Sequence, residues 1–239
     1  MTAGVIMIVL VSVAVGAVVQ SAVGFGLGLV AVPFLALTAP ELLPGPVIFV
    51  GAAVAVAVMI RDHVGIDFYG VRWAIVGRIF GNIAGAALLA TLPTSSLSVF
   101  FALMVLLAIG ISMSGWRVRP TTSSFVAAGT ASGVMGTTTA IGGPPIALVY
   151  QDASGKTLRG SISAFFVVGS FISIITLAAF GEFDGGDALA GLALVPPAAL
   201  GFLLSRWVIE SVDKGRVRTA VWVTSGVSSV VVLIRELWL

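Results

Sequence analysis

The 239-residue sequence contains no cysteine and a single histidine, His63. Disulfides, thiol catalysis and cysteine-ligated metals are thereby excluded. No His/Asp/Glu cluster with ligand spacing is present to hold a metal, and no motif calls for a cofactor. Charge is scarce as well: 9% of residues are charged, against about a quarter in soluble domains. A water-soluble fold of this size needs far more surface charge than that. A soluble enzyme, a nucleic-acid binder and a secreted disulfide scaffold are all excluded. The net charge of +2 comes from loop arginines and reports membrane topology rather than a polyanionic partner. No Asp or Glu lies deep in an apolar run, so the carboxylate proton relay of many transporters is missing. No basic residue precedes Arg61. The apolar N-terminus thus lacks the positive region of a cleaved signal peptide and reads as a retained segment.

What the sequence has in quantity is apolar runs, with 59% of its residues hydrophobic. Eight segments emerge, at 4–37, 44–60, 71–91, 97–115, 121–150, 160–180, 188–208 and 217–234. Pro40, Glu41 and Pro44 end the first. Arg61-Asp62-His63 through Arg72 separates the second from the third. Pro93-Thr94-Ser95-Ser96 and Gly115-Trp116-Arg117-Val118-Arg119-Pro120 are turns. No connecting stretch is long enough to be a soluble domain, so residues 1–239 form one transmembrane domain embedded in a lipid bilayer.

Segments one and five reach about 30 residues or more, where one helix needs about 20 to span. Each carries a glycine-rich break, Gly24-Phe25-Gly26-Leu27-Gly28 with Pro33 in one and Gly136 through Pro145 in the other. A shift of 112 positions matches Gly24 with Gly136 and Pro33 with Pro145. Gly81-Asn82-Ile83-Ala84-Gly85 similarly matches Gly201-Phe202-Leu203-Leu204-Ser205. This reads as an internal repeat, 1–119 and 120–239, each with a long broken segment and three ordinary spans. Loops 61–72, 116–120, 151–159 and 209–218 carry the bases and are expected in the cytoplasm. Loops 92–96 and 181–187 carry none and are expected outside. The flanks of segment five then lie on one side, so it must enter and return. The expected fold is an all-α membrane protein of two inverted repeats, each a broken helical hairpin plus three transmembrane helices, with both termini external.

Inverted repeats with discontinuous helices place a binding site near the midplane, where half-helix N-termini expose N–H groups. Gly136, Thr137, Thr138, Thr139, Gly142 and Gly143 form the richest polar patch in the membrane. Hydroxyls, unobstructed amides and positive dipole ends suit an anion with several oxygens. Alternatively the threonines bond to their own helix and the glycines only allow tight packing. Gln20 and Ser21 precede the first break, with its Gly24, Gly26 and Gly28, as Ser132 and Gly133 precede the second. Arg78, two turns inside segment three and near Asn82, either serves the site or snorkels to the surface about 9 Å away. Arg206 is expected to snorkel, Tyr150 and Gln151 to anchor at the interface, and His63 to sit solvated in its loop. Gly81 and Gly85 suit either internal packing or a homodimer. Ser132 has no histidine or acid in a later span to serve as its base, which removes an intramembrane serine protease.

The paired motifs, Gln20 through Gly28 with Pro33 and Ser132 through Gly136 with Gly142-Gly143-Pro144-Pro145, resemble the signatures of the TauE/SafE sulfite exporter family, also called the sulfonate uptake permease family. Gly77-Arg78-Ile79-Phe80-Gly81-Asn82-Ile83-Ala84-Gly85 resembles its third-helix glycine pattern. Thr137-Thr138-Thr139 stands where many members carry a glycine-rich run. The resemblance covers essentially the whole chain. It implies a carrier in the bacterial plasma (inner) membrane for small sulfur-containing anions such as sulfite, sulfonates or sulfoacetate. A secondary transporter working by alternating access is the expectation, export the favoured direction, and a passive anion channel the alternative.

Overall fold

The computed structural model describes residues 2–93, 96–114 and 118–212. The eighth apolar segment, 217–234, and the turn residues Gly115 to Arg117 lie outside them. The described residues form α-helices and two short 3-10 turns, with no strand. The helices are α1 (Ala3–Val23), α2 (Leu27–Thr38), α3 (Gly45–Arg61), α4 (Phe68–Thr91) and α5 (Leu97–Met113), then α6 (Thr122–Thr139), α7 (Gly143–Val149), α8 (Gly155–Ala179), α9 (Gly185–Ala193) and α10 (Val195–Val212). Their starts follow local chemistry. Asp67 accepts from the Tyr69 and Gly70 amides to open α4, Thr121 and Ser124 form a capping box on α6, and Ser154 caps α8.

Segments one and five are both interrupted, and the chain doubles back at each interruption. A β-carbon on Gly16 would stand 2.9 Å from the Leu27 carbonyl oxygen. A continuous helix would put those residues about 16 Å apart, so α2 returns along α1. In the second case the rings of Phe125, early in α6, and Tyr150, just after α7, have centroids 5.2 Å apart. An unbroken helix would separate them by about 37 Å.

The break in segment five is narrower than the sequence suggests. Gly136 through Thr139 remain in α6, and only Ala140 to Gly142 leave helical geometry. The corresponding cap residues are Gly24 (φ 101°) and Ala140 (φ 60°), both left-handed and each donating to a carbonyl four residues back. They lie 116 positions apart, one helical turn more than the shift of 112 that matches Gly24 with Gly136. Gly136 lies inside α6, packed near the Arg78 guanidinium, and the turn follows at Ala140.

Segment seven also departs from the expected single span. It is divided into α9 and α10, bent by 41°. Pro196 and Pro197 lack amide hydrogens, and their rings crowd the preceding turn, which stops α9.

Small residues bring two helix pairs close. Gly77 and Gly81 of α4 lie against the Val126 and Thr130 carbonyls of α6, while Gly129 and Gly133 lie against Ala74 and Arg78. Numbering rises together in both, so α4 and α6 are parallel. Gly201 of α10 likewise packs on Ala14 and Ala17 of α1. Gly81 and Gly85 therefore serve internal packing with α6, and they give no support to a homodimer.

Loop contacts define two ends. At one, Tyr69 bonds to Thr122 at 2.6 Å, Tyr150 donates to Asp67 at 3.2 Å, and Arg159 pairs with Asp62. This end carries Arg61, Arg119, Lys156 and Arg159. At the other end Gly45 packs on Phe183 and Asp187. Tyr150 is buried and tied to Asp67 and Phe125, which corrects its expected role as an interfacial anchor. His63 is exposed in a 3-10 turn, and Arg206 is exposed over the Trp207 ring.

Among the described residues, α1, α4 and α8 are each long and apolar enough to cross a membrane, and α9 with α10 makes a fourth when taken together. With 17 residues each, α3 and α5 rise about 25 Å, slightly less than a hydrocarbon core of about 30 Å. The chain is a multi-pass membrane protein.

Candidate anion site at the meeting of two helix breaks

The two breaks arrive from opposite ends and touch. Gly28, in the first turn of α2, lies directly on the Ala140 carbonyl, and Gly143 lies on the Phe25 ring. A side chain at either glycine would drive the breaks apart. Beside this contact α4 presents Arg78, whose residue is 2% exposed. Its Nη1 donates to Ser132 Oγ at 3.0 Å, while its Nε is buried with no partner. β-Carbons on Gly136 and Gly142 would each stand 3.1 Å from a guanidinium nitrogen, and Gly169 of α8 is nearer still, against Nε. Three glycines from two helices and a break thus vacate the space that the guanidinium fills.

Among the described residues no carboxylate pairs with Arg78. Among the described residues the ion pairs join Asp62 to Arg61 and Arg159, both at the basic end. The Phe165 and Phe166 rings lie 4.8 and 5.5 Å from the guanidinium carbon. Such contacts contribute about 0.5–2 kcal/mol, whereas removing an ion from water costs several kcal/mol even after relaxation. The balance favours an anion beside Arg78. Snorkelling is excluded by burial: Ser132 and Gly169 hold the group inside the bundle.

A cavity of about 40 Å³ opens beside Arg78, with Gln20, Gly26, Gly28, Gly51, Gly142, Gly143 and Ser170 in its wall. At ~10–15 Å³ per water it holds about three waters, a volume suited to a few heavy atoms. The first turn of α2 has no side-chain cap and begins at Gly26 (φ 131°), leaving its amides available. By contrast α7 opens with Gly143 followed by Pro144 and Pro145, which supply no amide hydrogens. Donors for an anion therefore come from Arg78 and α2 more than from the second half-helix.

The sequence-derived candidates fall into two groups. Gln20, Gly26, Gly28, Arg78, Gly136, Gly142 and Gly143 line the cavity. Gln20 also donates to the Gly51 carbonyl at 2.8 Å, fastening α1 to α3. Ser132 stands behind Arg78 and donates to the Gly142 carbonyl, so it joins the guanidinium to the second break. Asn82 is held by the Gly169 carbonyl at 3.1 Å, and Ser21 is buried with its carbonyl accepting from Arg61. Gly24 packs on the Arg159 backbone. The threonines do not face the cavity. Thr138 and Thr139 bond to carbonyls of their own helix, and Thr137 bonds to Ser173 at 3.0 Å. Of the two expectations for these threonines, the geometry matches helix bonding for Thr138 and Thr139 and an α6–α8 contact for Thr137.

Phe25, Gly51, Phe166, Gly169 and Ser170 were not indicated by sequence. Gly169-Ser170 is a small pair within an apolar span, which signals close packing but not its partner. Only the fold brings it to Arg78.

A family model described as sulfite exporter TauE/SafE matches residues 8–232. No curated protein and no solved structure matches.

Proposed function

The chain belongs to the TauE/SafE sulfite exporter family, a family of membrane transporters, and from that premise we propose that it is a secondary transporter of sulfite-sized sulfur oxyanions in a bacterial plasma membrane. The observation that carries this reading is Arg78: a buried guanidinium without a carboxylate partner among the described residues, beside a cavity where two helix breaks meet. A sulfite dianion or monoanion replaces the missing counter-charge and accepts from α2 amides.

The transport cycle proposed is alternating access between two inverted halves. Its support is the arrangement of the breaks, one hairpin returning toward each end, together with the parallel pairing of α4 with α6 and of α1 with α10, where Gly201 lies on Ala14 and Ser205 shares Arg61 with Ser21. Gly24 and Gly26 at the first hairpin tip and Ala140 at the second have positive φ, and these residues can take up a change in backbone angle without disturbing the helices. With the basic end cytoplasmic, outward movement of one negative charge down an inside-negative potential is favoured by ~2.3 kcal/mol per 100 mV. Export then needs no coupling ion, consistent with the lack of deep carboxylates.

Counterflow of labelled sulfite in liposomes containing the purified protein tests the reading. Saturable flux accelerated by sulfite on the far side is expected. Linear, non-saturating flux identifies an anion channel instead, and no flux of sulfite or sulfonates overturns the proposal.

A further inference from the structure

A second cavity, of about 80 Å³, lies toward the basic end, with Val23, Pro144, Leu148, Gln151 and Leu158 among its lining residues. Its position follows from its neighbours: Gln151 and Leu158 flank the loop that packs on Gly65 and Asp62. The cavity beside Arg78 reaches instead toward Val47 and Ile48, in the first turn of α3 at the opposite end. Phe25 belongs to the wall of both. Its ring is seated on Gly143, with Cγ 2.6 Å from where a β-carbon would be and Cδ2 nearer still, and the residue is 8% exposed.

The backbone around Phe25 is unusual. It lies between Gly24 (φ 101°) and Gly26 (φ 131°), at the tip of the α1–α2 hairpin. Both angles are ones that L side chains rarely adopt. The ring is thus carried on a three-residue link between two helix ends, while α1 and α2 remain packed on each other.

We propose that Phe25 is the partition between two chambers on one anion route, and that it moves on Gly24 and Gly26 to pass the anion from Arg78 to the basic-end cavity. Opening lifts the ring from Gly143 and joins the 40 Å³ and 80 Å³ spaces. The ring's apolar face excludes water and ions while seated. The inference rests on the anion-carrier reading for what passes, but the partition itself is testable without the anion.

Because the chain has no cysteine, single cysteines report each chamber directly. Leu148→Cys lies in the basic-end chamber and Ser170→Cys beside Arg78. In membrane vesicles exposing the basic end, a membrane-impermeant thiol reagent is expected to modify Leu148→Cys readily and Ser170→Cys slowly. Adding Phe25→Ala should abolish the protection of Ser170→Cys, whereas Phe25→Leu should preserve most of it. Ser170→Cys protected equally in the Phe25→Ala protein overturns the partition. So does Ser170→Cys modified as fast as Leu148→Cys with Phe25 intact. Sulfite flux in the same Phe25→Ala protein is expected to lose its acceleration by far-side sulfite. If the unaltered protein moves no sulfite while the labelling pattern holds, the transport reading fails and the partition stands.

Discussion

The Arg78 guanidinium donates to the Ser132 hydroxyl at 3.0 Å, and that hydroxyl donates onward to the Gly142 carbonyl. One serine therefore joins the buried cation on α4 to the break between α6 and α7. Any movement of that break is transmitted to Arg78, the group proposed to hold the anion.

Arg78→Ala removes the counter-charge and is expected to weaken sulfite binding by about tenfold to a hundredfold, the range of a charge-assisted hydrogen bond of about 1.5–3 kcal/mol. Arg78→Lys keeps the charge without the planar fork and should fall between. Expression should stay near normal, because no carboxylate among the described residues is orphaned by the change. Equilibrium binding of labelled sulfite to detergent-purified protein checks this. Normal binding by both variants removes Arg78 from the site.

Ser132→Ala leaves the Gly142 carbonyl without its hydroxyl donor and Arg78 without its acceptor. A loss of about 1–3 kcal/mol in stability is expected for buried groups so orphaned, together with weaker sulfite binding. Thermal unfolding in detergent, with and without sulfite, separates the two effects. A variant with unchanged melting and affinity contradicts the link.

Two glycines should respond to alanine with opposite signs. At Gly81 a β-carbon meets the Thr130 carbonyl and Gly133 of α6, so Gly81→Ala is expected to destabilise by at least about 1–3 kcal/mol through overpacking. Gly110, exposed on α5, has nothing within 4 Å. Gly110→Ala should stabilise by roughly 0.5–1 kcal/mol through helix propensity. Melting temperatures of the two variants test the contrast.

Single cysteines at Thr121 and Asp152 should react from the same side of the membrane, and one at Glu182 from the other. The basis is the pairing of Phe125 with Tyr150 and of Tyr69 with Thr122 at one end. Sided labelling with an impermeant maleimide decides the matter, and reaction of Thr121→Cys and Asp152→Cys from opposite faces contradicts a hairpin of α6 and α7.

Composition by itself determined that this chain lives in a bilayer, because 9% charged residues cannot cover a water-soluble surface. The glycine clusters at Gly24–Gly28 and Gly136–Gly143 marked both broken segments, since a run longer than a bilayer must bend somewhere. Arg78 stood out for the same kind of reason: a cation at membrane depth is costly. The site's inner wall was not legible. Gly169, Ser170 and Phe166 belong to a helix far along the chain, and nothing local ties them to Arg78. The threonine run left both expectations open, because hydroxyls beside glycines look alike whether the helix stops before them or after. That choice was made by Ala140, which adopts a left-handed conformation where α6 meets Gly28 of α2. Local chemistry fixes where a chain can bend. Only the packing of one break against the other selects where it does, and so which donors face the cavity.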